Sequence, residues 1–423
     1  MVRLESSEEI FSSIIEIESS FPIFCTTSYS YPLYAETQIN FSKLRMIHIM
    51  SQIGNRLRIA RNNAGVTQEV AAQTIQVKRS TLVALEQGKR RVKPEELTQL
   101  AALYQVTCSS LLRQDSIHID IKPQFRLTHD QAKKADELTA SRTLQKLVSS
   151  YVELERKLLK PLRIAYPAEY PLTRGQLSEQ AEDLSLQVRH GLGLGLAPIS
   201  NIMTLLQNEL QIRLFIHPLP SKISGMFAYH PELAACIVVN AKHPKTRQAM
   251  SAAHELAHFY TMRNIAEVSW IDSDFGDEEC VLHERFANLF AMAFLMPAES
   301  IRRSYQDIVR EQGQFTASDL LFLKSNFYVS LEAIARRLED LGILPHGKSD
   351  LLKERGIYQL SEDPIWPHTL TIPRYILLAV EAYQQELVTE GQLVDMFDLD
   401  HAEVREQINK LIFLFTEEVF YGS

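Results

Sequence analysis

One run of five residues, His254-Glu255-Leu256-Ala257-His258, constrains this chain more than any other. It lies within Met250–Met262, a stretch without Gly or Pro, which predicts a helix. Helical positions four apart lie on one face, one turn above each other. Two imidazoles stacked in this way can reach one zinc ion at about 2.0–2.1 Å each. Glu255 is rotated by about 100°, so it is poorly placed as a ligand but can reach a water on the metal. The spacing points to metal-assisted hydrolysis with a glutamate base. Alone it is a weak signal, since a surface helix can carry two unrelated histidines. The flanks argue otherwise: Ala252, Ala253, Leu256, Ala257 and Phe259 surround the histidines with small and apolar residues.

A catalytic zinc keeps three protein ligands and one open position, so a third ligand should follow. The stretch from His283 to Pro297 reads as another helix, apolar at the 3–4 spacing through Phe286, Ala287, Phe290, Ala291 and Phe294 and stopped by Pro297. Glu284, in its first turn, is the preferred ligand, with His283, Glu278, Glu279 and Cys280 as alternatives. Asn288 lies one turn beyond Glu284 on the same face and can support a metal ligand by hydrogen bonding.

The His-Glu-x-x-His helix followed by Glu284-x-x-Ala287-Asn288-x-Phe290-Ala291 and Leu295-Met296-Pro297 resembles the ImmA/IrrE family of metallopeptidases. The resemblance extends upstream through Val238-Val239-Asn240 and Arg247. It implies a zincin-like fold with His254, His258 and Glu284 as ligands and Glu255 as base. It also implies narrow proteolysis of a partner regulator in stress or mobile-element control.

At 423 residues the chain has room for two to four domains. No stretch approaches 18 uninterrupted apolar residues, so no membrane span is expected. The N-terminus is crowded by Glu5, Glu8, Glu9, Glu16 and Glu18, unlike a signal peptide. Cys25, Cys108, Cys236 and Cys280 are scattered, which suits a reducing cytoplasm and offers no disulfide framework.

Residues 1–50 are poorly patterned and read as a flexible arm or as a start placed too early, with a partner-binding arm as the remaining reading. From 51 to 113 the pattern is that of five short helices. Gly65 ends the first, Thr67 caps Gln68–Gln73, and a three-residue turn leads to Lys78–Glu86, as in a helix-turn-helix. Gly65-x-Thr67-Gln68-x-x-x-Ala71 and Leu85-Glu86-x-Gly88-Lys89 resemble the Cro/repressor-type (XRE) family. Between Ser51 and Lys93, nine basic residues stand against only Glu69 and Glu86, on a chain whose net charge is −8. A basic module on an acidic chain suits double-stranded DNA, whose phosphates it can neutralise. Arg79 and Ser80 are expected at base edges, Gln68 and Lys89 at phosphates. Ala84 falls where related repressors often carry a reading side chain, which implies modest specificity.

Residues 114–176 read as a charged helical spacer, or a dimer-forming helix, ending in a linker marked by Pro161, Pro167 and Pro171. The peptidase domain is expected over 177–300, with helices at Glu179–Val188 and Ile199–Leu210 and strands at Ile212–His217, Ser224–Tyr229 and Ala235–Asn240. An exposed edge of that sheet can hold a peptide by strand addition. Tyr229 and Tyr260 are candidate donors to a tetrahedral oxyanion. A helical subdomain over 301–345, with Ser330 as an N-cap, and a C-terminal helical module over 346–423 complete the chain. A homodimer formed through the latter is plausible.

The expected fold class is mainly α and multidomain: an all-α helix-turn-helix domain, then an α+β zincin-like metallopeptidase domain with a small sheet and C-terminal helical subdomains. The expected function is a cytoplasmic DNA-binding regulator with zinc-dependent endopeptidase activity against a repressor or antitoxin-like partner. Manganese is the second choice of metal. The competing reading is a transcriptional regulator whose zinc fold is a sensor or protein-binding platform with little turnover. An intact Glu255 speaks against it, because a purely structural site gains nothing from a base.

Overall fold

A computed structural model describes residues 53–412 except 63, 105, 107, 113–130, 232, 264–266, 271–277 and 361–372. The arm over 1–50 lies outside the described residues.

Five helices form the N-terminal domain: residues 53–62 (α1), Gln68–Thr74 (α2), Arg79–Glu86 (α3), Pro94–Tyr104 (α4) and Cys108–Leu112 (α5). The hydroxyl of Thr67 accepts from the Val70 amide and caps α2, as its sequence position predicts. The core is small: Leu57, Ala71, Leu82, Leu85, Leu100 and Tyr104 meet at its centre. Beside it, Arg61 and Glu86 form a buried ion pair at 2.5 Å, and a second Arg61 nitrogen donates to the Val66 carbonyl. This pair joins the end of α1 to the end of α3.

The rest of the described chain is built around one mixed sheet. Its strands are Arg213–His217 (β1), Ile223–His230 (β2), Ala234–Asn240 (β3) and Glu267–Trp270 (β4), in the order β1-β3-β2-β4. β1 runs parallel to β3, while β2 is antiparallel to both β3 and β4. β3 is buried along its whole length, which explains its unbroken Ala-Ala-Cys-Ile-Val-Val run. The sheet separates two cores. Phe227, Ala235, Ile237 and Val239 face one side, whereas Phe215, Met226, Ala228, Cys236 and Val238 face the other.

On the first side lie Leu177–Gly191 (α7), Ile202–Asn208 (α8), Lys245–Thr261 (α9) and Glu278–Leu295 (α10). Ala298–Gln312 (α11), Ala317–Phe327 (α12) and Leu331–Asp340 (α13) extend the same core. Ser330 caps α13 as expected, accepting from the Ala333 amide. A short helix, Lys348–Glu354 (α14), packs beyond it.

The second side holds the main departure from the sequence reading. Gln131–Lys157 (α6) does not stand off as a spacer. Its stripe Ala140, Leu144, Leu147, Val148, Tyr151 and Val152 is buried against the back of the sheet, and two of its charges, Glu153 and Glu155, are buried with it. The C-terminal helices Arg374–Gln384 (α15), Glu390–Phe397 (α16) and His401–Leu411 (α17) share that core rather than forming a module apart. Glu155 pins the three elements together: its carboxylate accepts from Arg213 of β1 at 2.6 Å and from Arg374 of α15 at 2.5 Å. Among the described residues, no helix is long and apolar enough to cross a membrane.

Candidate metal centre

Helix α9 runs between the sheet and α10, so nearly every residue from Ala252 to Thr261 is buried. Such a position tolerates small or apolar side chains, and Ala252, Ala253, Leu256, Ala257 and Phe259 supply them. His254, Glu255 and His258 are the exceptions, at 7%, 0% and 0% exposure. Buried polar groups need partners, and these face α10 and β2.

On α10, Phe286, Phe290 and Phe294 stack along the buried face and hold the helix against α9. That leaves Glu284, one turn from Asn288, opposite the histidines. The ring nitrogens His254 Nε2 and His258 Nε2 are 3.1 Å apart. Glu284 places one carboxylate oxygen 3.3 Å from the first and the other 3.4 Å from the second. Donor atoms at 2.0–2.1 Å from a tetrahedral ion are about 3.3 Å from one another, close to the spacing of each imidazole nitrogen from the other and from a Glu284 oxygen. His254, His258 and Glu284 are the group of three among the described residues that could hold a metal, with all ligand atoms within 4.8 Å. Burial pushes the Glu284 carboxyl up, but hydrogen bonds and charge from both imidazoles outweigh it and hold it well below the ordinary carboxylate range.

Asn288 Oδ1 lies 3.0 Å from His254 Nδ1. A carbonyl oxygen there can accept the Nδ1 proton and so orient Nε2, the ring's other nitrogen, towards Glu284 and His258. Glu255 stays out of the trio. Its carboxylate rests against Gly225 of β2, close enough that a Cβ on that glycine would lie 2.5 Å from Oε1. Gly225 escapes a sequence reading because what it touches lies thirty positions away, with no local pattern to mark it.

The other expected residues lie elsewhere. Tyr229 is four residues along β2 from Gly225, about 13 Å in an extended strand, and packs beside Tyr166 and Arg263. Tyr260 is buried edge-on against Phe259, and burial pushes its hydroxyl up to about 12 despite Arg263. These ring contacts lie with Tyr166, Phe259 and Arg263 and not with the candidate ligands. The alternatives Glu278, Glu279 and Cys280 are without a described side-chain position, and His283 is half-buried. In the N-terminal domain Arg79, Ser80 and Lys89 are exposed. Gln68 links the buried pair to this surface, donating to Glu86 at 3.1 Å and accepting from Arg79 at 3.2 and 3.3 Å.

A buried His-Glu-x-x-His helix, a glutamate from the next helix and a small mixed sheet together describe a zincin-like domain with a group that could hold a metal, on the same chain as a helix-turn-helix domain. Comparison with family models agrees: residues 207–339 match the IrrE N-terminal-like domain, a peptidase family, and residues 52–113 match a helix-turn-helix domain. The first match begins later than the expected 177 and carries on through α13. Among solved structures, a Mycobacterium tuberculosis transcriptional regulator is 17% identical over 45% of this chain and 51% of its own, with a TM-score of 0.27. The match therefore spans about half the length of that regulator. Comparison with curated proteins gives no match.

Proposed function

We propose that the chain is a cytoplasmic DNA-binding regulator that also cleaves protein, a zinc endopeptidase acting on a repressor or antitoxin-like partner. The observation that carries this is two imidazole nitrogens 3.1 Å apart, each within 3.3–3.4 Å of one of the two Glu284 oxygens, on a helix that also carries the buried Glu255. Two imidazoles and one carboxylate form the donor set of three-ligand catalytic zinc sites. Bound there, zinc would lower the pKa of a water towards about 7 and polarise the scissile carbonyl.

The chain's own residues supply the remaining chemistry. His254, His258 and Glu284 hold the ion, and Asn288 keeps His254 in the tautomer that can bind it. Glu255 takes the proton of the attacking water and passes it to the leaving amine. A sheet edge would offer backbone groups for an extended peptide. The basic helix-turn-helix surface, with Arg79 and Ser80 towards bases and Gln68 and Lys89 towards phosphates, would bring the peptidase to DNA-bound regulators.

Co-expression with a repressor-like protein encoded beside it, as wild type and as Glu255→Gln, tests the reading by mass analysis of the partner. The expected result is a defined pair of fragments with the wild type and intact partner with the variant. A regulatory role without turnover is the second reading. It is favoured by a direct tie between the two parts, since Arg142 of α6 donates to the Ala64 carbonyl at the end of α1 at 2.9 Å. On that reading the target-gene response survives Glu255→Gln.

A further inference from the structure

Strand β2 passes along α9 with its alternate residues in step with the helical turns. Tyr229 meets Arg263, and Phe227 meets Phe259 edge-on at 6.4 Å. Two residues further back on the strand and one turn further back on the helix, Gly225 meets Glu255. A Cβ added at Gly225 would lie 2.5 Å from Glu255 Oε1 and 3.2 Å from both Cδ and Cγ. The carboxylate thus fills the volume that any other side chain at this position would need.

Gly225 is absent from the residues with positive φ, so a left-handed backbone is not what selects glycine here. It pairs with Val239 on one side and Ser269 on the other, with a register shift towards β4 between Ile223 and Gly225. Glycine inside a strand weakens it and marks a bulge or a close approach, and here the two coincide. Towards β3 the segment is held firmly. Asn240, fully buried at the end of β3, donates to the Ile223 carbonyl at 2.7 Å and accepts from the Leu219 amide at 3.2 Å. Strand and helix are therefore both fixed, and the side chain of Glu255 is the part left to move.

Resting on the reading of Glu255 as the base, we propose that Gly225 is a positioning residue, whose missing side chain forms the slot that seats the Glu255 carboxylate beside the metal ligands. With alanine at 225 the carboxylate must swing away from the strand. A misplacement of about 1 Å costs roughly 100-fold in rate, while the three ligands, none of which supplies the three atoms nearest a Cβ at Gly225, keep their geometry.

The test is a double-mutant cycle in unfolding temperature on the full chain: wild type, Gly225→Ala, Glu255→Ala and the double variant. Alongside it run zinc content and the kcat and KM for the partner cleaved in co-expression. Expected are a loss of several degrees for Gly225→Ala when Glu255 is present and little loss when it is absent. A fall in kcat of about 100-fold at unchanged KM and unchanged zinc content should accompany it. If Gly225→Ala alone fails to fold, folding of the double variant supports the slot and its failure overturns it. Equal losses in both backgrounds, or full kcat in Gly225→Ala, also overturn the proposal. The cycle needs no turnover, so coupling without any cleavage sinks the peptidase reading while leaving the slot. Cleavage without coupling does the reverse.

Discussion

Asn288 Oδ1 sits 3.0 Å from His254 Nδ1, one helical turn from the Glu284 carboxylate that faces the other nitrogen of the same ring. On the proposed reading, Asn288 fixes both the tautomer and the tilt of one candidate ligand from a helix that carries another. Removing such a support typically costs 10–100-fold in metal affinity. Asn288→Ala should weaken zinc binding by about that factor in competition with a chromogenic chelator. Unchanged affinity would show that the ring is held by packing alone.

Metal binding should also appear as stability. A ligand that binds only the folded state adds about 2.7 kcal/mol when present at a hundred times its dissociation constant. Zinc should therefore raise the unfolding temperature of the stripped wild type, chelator should reverse the rise, and Glu284→Ala should abolish it. An equal response in Glu284→Ala would mean that the ion binds elsewhere.

Much of this site is legible from sequence because helical spacing is local. The four-residue step between His254 and His258 and the step from Glu284 to Asn288 are each set within one helix. The caps at Thr67 and Ser330 are readable for the same reason. Other features depend on residues far away in the chain. Gln131–Lys157 looks like a solvated spacer because charges crowd it, and its apolar stripe gains meaning only from the back of a sheet that begins at Arg213. Four residues, Glu267–Trp270, are too few to show alternation, and their pairing partner begins some forty positions earlier at Ile223. Gly225 looks like a strand defect until Glu255 is placed against it.

The ion-pair network at Glu155 ties α6 and α15 to strand β1 on the second side of the sheet. Glu155 is 2% exposed and accepts from both Arg213 and Arg374. Breaking a buried pair by removing one partner costs about 3–5 kcal/mol, because charge is left buried without compensation. Glu155→Ala should lower stability by that order in urea unfolding. If α15 is an independent module, the loss will be small and confined to a separate transition.

On the DNA side, Gln68 holds Arg79 by two hydrogen bonds while itself tied to Glu86. Arg79→Ala should reduce affinity for a cognate operator by about 1–3 kcal/mol and relax the preference at one base position. Lys89→Ala should weaken binding to all sequences alike and lower the salt slope by about one. Gln68→Ala should repeat part of the Arg79 effect by freeing its guanidinium, and fluorescence anisotropy across a salt series separates the three.

The ion's surroundings are the most direct test of the whole account. X-ray absorption at the zinc edge of the purified chain should show two imidazole nitrogens at about 2.0–2.1 Å, oxygen for the remainder, and no sulfur. Signal from a sulfur at about 2.3 Å, as Cys280 would give, or a chain that takes up no zinc, would contradict it.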